Sequence, residues 1–295
     1  MLTQALCYEI LLYIVLKTVI LIDSGCDVSH EIVQRFHMKV MPLHIIYPER
    51  DYIDGVDILP EAIYQRFPGE IPATSTPSPQ DVKDMVEEIK AEGYTHVLAF
   101  CISSGLSGTY NTVASVLGDE KDLTSFVLDT RNISFGAGIL AVWAGMQLEE
   151  GKSFDELKEM LPGKVKDSKV FYYMDTLTYL RRGGRIGLVT SAAGSILNIK
   201  PIISCNDDGV YYTAAKIRGA KRGLSRLLAE ASSFAGGRPC LTALLNGQGQ
   251  EASDELRPRL IARIPEGRLI MEKAITASLA VHTGPGLVGI GVLRL

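Results

Sequence analysis

The sequence predicts an α/β protein of two domains. The first is a mostly parallel sheet with helices on both faces, and the second is α+β with a largely antiparallel sheet. Three observations carry this. From Thr18 to Glu150, short apolar runs alternate with helix-length amphipathic stretches, the pattern of a parallel sheet covered on both faces. Beyond that the pattern becomes short strand candidates joined by a hairpin signal, Asn206-Asp207-Asp208-Gly209. And 295 residues exceed what one hydrophobic core ordinarily serves. The polar stretch Gly151–Asp167 places the boundary, giving domains over 18–165 and 166–295 with a ligand cleft between them.

Each element has its own justification. Thr18–Ile22 is apolar and β-branched, and Asp23-Ser24-Gly25-Cys26-Asp27 turns the chain into a helix over Ser29–Phe36. Val40–Ile46 reads as one strand and Leu59–Arg66 as a helix. Ile71–Pro79 is too rich in proline for regular structure, but Ser78 and Pro79 suit the start of an amphipathic helix reaching Glu92. Val97–Ile102 suits a buried strand, the residues from Leu106 suit a helix start with Ser107 as a candidate N-cap, and Thr109–Leu117 reads as the helix. Ser125–Asp129 (strand) and Ile133–Glu150 (helix) extend the alternation. In the second half, Ala192–Leu197 and Lys221–Phe234 read as helices. Pro201–Cys205, Val210–Lys216, Cys240–Leu245, Leu269–Lys273 and Val288–Leu293 read as strands.

Residues 1–17 form an atypical extension. Leu6–Ile22 is apolar, but Glu9 and Lys17 interrupt it, no basic segment precedes it and no cleavage site is clear; a peripheral anchor is the alternative reading. A net charge of −4 gives no footprint for nucleic acid or an anionic membrane. The five cysteines (Cys7, Cys26, Cys101, Cys205, Cys240) are scattered with no Cys-x-x-Cys, which supports neither a zinc knuckle nor a disulfide framework and points to a reducing, cytoplasmic setting.

Four places carry candidate chemistry. The strand-to-helix turn Ser103–Thr109 presents backbone N–H groups and hydroxyls suited to an anion, or is simply a capped turn. Thr74-Ser75-Thr76-Pro77-Ser78 offers four hydroxyls on semi-rigid backbone, enough for a carboxylate, or merely caps the next helix. Arg181, Arg182 and Arg185 surround Gly183-Gly184, a fork geometry for phosphate or carboxylate unless the cluster is solvated surface. His282 precedes Gly284-Pro285-Gly286 and could donate to an anion, act as a base, or be a structural histidine at a strand end. His30, His37, His44 and His96 have no ligand spacing with it, so no metal is expected. Gly284-Pro285-Gly286-Leu287-Val288-Gly289 matches G-x-G-x-x-G but leads into a strand-like segment, not a helix, and Gly151-Lys152-Ser153 lacks the first P-loop glycine, position 146 being Met146.

Taken together, Asp23-Ser24-x-Cys26-Asp27, Thr74-Ser75-x-Pro77-Ser78, Ser103–Tyr110, Asp175-Thr176-Leu177-x-Tyr179-Leu180-Arg181-x-Gly183-Gly184-Arg185-Ile186 and His282-x-Gly284-Pro285-Gly286 resemble the DegV family of bacterial fatty-acid-binding proteins. The likeness runs from Thr18 to Leu293. It implies a long-chain fatty acid in a buried tunnel between two domains, and a separate kinase that converts the presented acid to acyl-phosphate. By similarity, Thr74, Ser103 and Ser104 hold the carboxylate with His282 nearby. Ser75, Gly105, Gly108, Thr109 and Gly284 lie in supporting loops, and Arg182, Arg185 and Arg218 face the phosphate or partner. The resemblance implies no cofactor and no metal. A monomer, free of nucleic acid and with at most transient membrane contact, is the expected state. Two other classes stay open: a serine hydrolase or acyltransferase using His282, disfavoured because no G-x-S-x-G elbow occurs, and a binder of a small phosphorylated metabolite at the Gly-Gly-Arg loop.

Overall fold

The computed structural model describes residues 17–189, 199–218 and 222–295; the extension over 1–16 and the helix expected over 192–197 lie outside the described residues. The chain begins with β1 (Thr18–Asp23), α1 (His30–Arg35) and β2 (Lys39–Met41). β3 (His44–Ile46), β4 (Asp51–Ile53), α2 (Pro60–Arg66) and β5 (Ala73–Ser75) follow. Then come α3 (Pro79–Ala91), β6 (His96–Cys101), α4 (Thr109–Asp119), β7 (Thr124–Asp129), α5 (Phe135–Glu149) and α6 (Phe154–Lys164).

β1, β2, β6 and β7 form the expected parallel sheet in the order β2-β1-β6-β7. α3 and α4 cover one face, where Val82, Val86, Val113 and Leu117 pack on Val19 and Val97. α5 covers the other face and is buried on nearly every side through Gly145, as a helix apolar all round must be. It lies between this sheet and the second one, touching β1 and β6 as well as two strands of the second half, Ser168–Tyr173 and Leu287–Arg294.

Three expectations are corrected here. Val40–Ile46 is two strands, not one. Pro42 has no N–H to give a ladder, so the chain leaves the parallel sheet after Met41 and β3 pairs antiparallel with β4 and β5. The proline-rich stretch does contain a strand: β5 sits between Pro72 and Thr76, with Thr74 opposite Ile45. The helix read over Thr109–Leu117 is α4, but its cap is Gly108 and no helical turn begins at Leu106, because Leu106 and Ser107 donate their N–H groups back to Ser103 in a turn. The polar stretch Gly151–Asp167 carries α6, begun by the reciprocal Ser153–Glu156 cap and buried along Phe154, Leu157 and Leu161.

The second half contains β8 (Ser168–Tyr173), α7 (Thr178–Arg182), β9 (Ile199–Cys205), β10 (Tyr211–Arg218), α8 (Gly223–Ala235) and β11 (Cys240–Gly247). It closes with α9 (Gln250–Arg263), β12 (Gly267–Ala274), α10 (Ala277–Thr283) and β13 (Leu287–Arg294). Its sheet runs β10-β9-β8-β13-β11-β12, antiparallel at every pairing except β11 with β12. Asn206–Gly209 makes the predicted hairpin, with Gly209 at φ +73°. The G-x-G-x-x-G match leads into β13, so it opens no helix. α10 packs against α2, β3 and β5 of the first half as well as α7 of its own. No helix among the described residues is long and apolar enough to cross a membrane.

Candidate functional site

The site is built where the parallel sheet reverses its strand order. β1 continues to β2 on one side and β6 to β7 on the other, so the carboxyl ends of β1 and β6 leave a crevice, the usual ligand position in open α/β sheets. Asp23 bridges the two strand ends, its Oδ2 accepting the Ile102 N–H at 2.8 Å. Above the crevice lies a cavity of about 50 Å³ lined by apolar Leu43, Ile102, Ile133 and Leu279 and by polar Thr74, Ser107, Arg185 and His282.

Thr74 and His282 meet across 208 residues of sequence, Thr74 Oγ1 lying 2.8 Å from His282 Nε2. Thr74 is fixed by the β5–β3 pairing, and His282 stands in the last turn of α10, in a helix rather than at a strand end. Burial, helped by the nearby Arg185 guanidinium, pushes the imidazole down from its ordinary value to about 4, so it is neutral at pH 7. Nδ1 is buried without a partner. An unpaired acceptor nitrogen is the cheaper orphan, which assigns the proton to Nε2 and makes it the donor to Thr74 Oγ1. The Thr74 hydroxyl proton is then free to point into the cavity. Gly183 makes room for this ring, since a Cβ there would lie 2.2 Å from His282 Nδ1.

Arg185 supplies the charge. Its guanidinium donates only to carbonyls, Nη1 to Gly183 at 2.6 Å and Nε to Leu106 at 3.4 Å, and no carboxylate among the described residues pairs with it. It borders the cavity and two outer clefts. One, about 410 Å³, is lined by Pro72 and Arg182; the other, about 310 Å³, by Ser104, Gly108 and Gly187. A neutral histidine, the Thr74 and Ser107 hydroxyls and an arginine with no carboxylate partner among the described residues, all lining one cavity with apolar residues, suit a singly charged anion on an apolar body.

The other expected residues are distributed unevenly. Ser75 lines the cavity beside Thr74. Ser103 does not: it is buried, accepts the Gly105 N–H at 3.1 Å, and packs against Gly209. Ser104 is exposed and bonds to Asp129 through both its N–H and its hydroxyl. Gly105 lies against the carbonyls of Asp208 and Gly209, Gly108 caps α4, and Thr109 is buried beneath Ser107. Gly284 ends α10 at φ +70° against the Tyr179 ring. Arg182 lines the outer cleft, and the side chain of Arg218 lies outside the described residues. Ser107, expected as a cap within the anion-binding turn, lines the cavity as Ser75 does and is held by Thr109 Oγ1 at 2.9 Å.

This geometry does not suit a serine hydrolase. The histidine of a nucleophile–base–acid set has a carboxylate at its second nitrogen. His282 Nδ1 faces Gly183 instead, and its other nitrogen is taken by a threonine. Among the described residues no group of three His, Cys, Asp or Glu side chains is disposed to hold a metal.

The family model for DegV, described as a family of uncharacterised proteins, matches residues 17–295. The chain belongs to the DegV family. A DegV domain-containing protein of Clostridium acetobutylicum is 38% identical over 278 residues, spanning 94% of this chain and 99% of that relative. Among solved structures, a fatty-acid-binding DegV protein from Thermus thermophilus is 30% identical and superposes with a TM-score of 0.88 over 95% of this chain and all of that one. A stearic-acid-binding protein from Eubacterium ventriosum is 28% identical, with a TM-score of 0.83 over 93% of this chain and 97% of that one. The α/β architecture, with its parallel N-terminal and largely antiparallel C-terminal sheets, is the DegV fold.

Proposed function

We propose that this DegV protein is a non-catalytic carrier that binds one long-chain fatty acid between its two halves, which we take as domains. Its carboxylate lies at Thr74, Ser107 and His282, and the head is offered to a separate kinase for conversion to acyl-phosphate. The observation that carries the reading is the Thr74–His282 pair lining an apolar cavity together with Arg185, which has no carboxylate partner among the described residues. The fatty-acid-binding relatives support it.

The energetics are compatible. Each buried methylene contributes about 0.8 kcal/mol, so a tail of roughly 14 gives on the order of 10 kcal/mol before the costs of binding. The head adds orientation, its donors offsetting the desolvation of the carboxylate. Ordinary ligand pockets hold roughly 300–1,000 Å³. Against these, the cavity of about 50 Å³ requires the apolar walls to part as the tail enters. Arg185 and Arg182, at the outer clefts, would face the phosphoryl group or the kinase. A cytoplasmic monomer is the state this reading assigns, with no cofactor.

Native mass spectrometry of the freshly purified protein, followed by organic extraction, tests it. A stoichiometric adduct extracting as a fatty acid is expected. A bare protein that also takes up no added palmitate would overturn the reading and leave phosphorylated ligands at Arg185 as the next candidates.

A further inference from the structure

α10 is seven residues long and too short to hold itself. What fixes it is a pair of buried aspartates from the other half of the molecule. Asp27 follows β1 and accepts the Thr276 N–H through Oδ1 at 2.7 Å; its Oδ2 accepts from Ser134. Lys273 Nζ stands 3.7 Å from the same Oδ1. Asp54 follows β4 and accepts the Ser278 N–H through Oδ1 at 3.3 Å, while its Oδ2 accepts from Ser24 Oγ at 2.7 Å. Ser24 Oγ in turn accepts the Leu43 N–H at 3.0 Å. Thr276 is the N-cap of α10 and Ser278 lies in its first turn, so both bonds go to amides that have no partner inside the helix.

The placement of Asp54 matters most. β4 and β5 flank β3 in the three-stranded sheet, so Asp54 leaves the same small sheet that carries Thr74. One end of α10 is therefore tied to that sheet at Asp54, and its other end meets the sheet at Thr74 through His282. His282 lies six positions beyond Thr276, about 9 Å along the helix. A tilt at the clamped end moves the imidazole relative to the Thr74 hydroxyl.

We infer that Asp54, with Asp27, is a positioning residue that sets His282 against Thr74 by fixing the first turn of α10 to the sheet carrying Thr74. Its importance for a ligand rests on the carboxylate reading above, but the position of the ring does not. The test is accordingly made without ligand.

The protein is labelled with ¹⁵N-histidine, and His282 is assigned by loss of its signals in His282→Gln. Its tautomer and titration are then followed by NMR. Two variants break the clamp. Asp54→Ala removes the acceptor, and Thr276→Pro removes one donated N–H at a residue whose φ of −71° proline shares. Asp54→Asn keeps an oxygen for Ser278 and an N–H for Ser24, and is the conservative rescue. Ile264→Val, in the core beside α9, is the control for destabilisation alone.

In the clamp-broken variants the ring is expected to lose its single Nε2–H tautomer. Its midpoint should rise by about one pH unit or more toward the ordinary histidine value, with Asp54→Asn and Ile264→Val staying as the parent. Thr276→Pro reports on the Asp27 bond, and should Asp54→Ala fail to fold, Asp54→Ser, too short to reach the Ser278 N–H, decides for Asp54. An unchanged His282 tautomer and midpoint in the folded clamp-broken variant overturns the inference, whether or not the protein binds fatty acid. An equal shift in Ile264→Val overturns it too, since loosening alone would then suffice.

Discussion

Two hydroxyl-rich loops approach the crevice between the halves of the molecule: the first presents Thr74, Ser75 and Thr76 to the cavity, the second only Ser107. In the loop from Thr74 to Ser78, Thr74 meets His282, which arrives from the far end of the chain and leaves the threonine proton free. In the loop from Ser103 to Ser107, the first two serines are spent within their own half. Ser103 closes a turn on Gly105, and Ser104 is taken by Asp129. The hairpin tip at Asp208 and Gly209 then covers Ser103 and Gly105 from the other half. Composition makes the loops look alike; what faces each across the crevice sets them apart.

The largest expected effect falls on the second loop. Gly209 has φ +73°, and a Cβ there would stand 1.9 Å from Ser103 Oγ. Gly209→Ala should cost about 4 kcal/mol, combining left-handed strain with overpacking. If that loop is structural, fatty acid and fatty alcohol should lose affinity equally. Denaturant unfolding and paired binding isotherms check this.

Next is the pH dependence of His282. Its folded value of about 4 lies below the ordinary 6.5. The unfolded chain takes up a proton between those values and the folded one does not. The neutral ring therefore contributes its full stability above about pH 6.5 and loses it as pH falls toward 4, on the order of 3 kcal/mol. Asp23 acts oppositely: burial raises it from 3.8 to about 7, so its contribution is present at low pH and lost as pH rises through 7. In the parent these slopes oppose each other between about pH 4 and 6.5. In His282→Gln, unfolding free energy should fall steadily with rising pH across that window, as urea titrations at several pH values would reveal.

Gly183→Ala acts on the first loop. The new methyl group would displace the His282 ring from its seat, and the preference for acid over alcohol should drop about 30-fold, roughly 2 kcal/mol. Competition between palmitate and hexadecanol measures it.

These contrasts also mark what sequence could reveal. α3 was legible because Ser78 and Pro79 announce its start and Val82, Val86 and Ile89 its buried face. The parallel strands were legible as apolar runs. α10 was not, since seven residues, almost all buried, carry no period, and α9 hid behind a polar sequence with Pro258 inside it. Thr74 and His282 were recognisable through the resemblance, yet nothing local could say they touch. Ser107 read as a cap because one residue type serves both purposes. The choice among Ser103, Ser104 and Ser107 depends on Asp129, Gly209 and the late start of α4, none of which a five-residue window contains.

The most direct measurement compares Thr74→Val with Ser104→Ala, each titrated with palmitate and hexadecanol at pH 7.5. The account predicts that Thr74→Val weakens palmitate by about 10-fold or more while leaving hexadecanol nearly unchanged, and that Ser104→Ala stays within about 3-fold for both. The reverse result, palmitate lost in Ser104→Ala and kept in Thr74→Val, would contradict it and move the head of the ligand to the Asp129 side of the crevice.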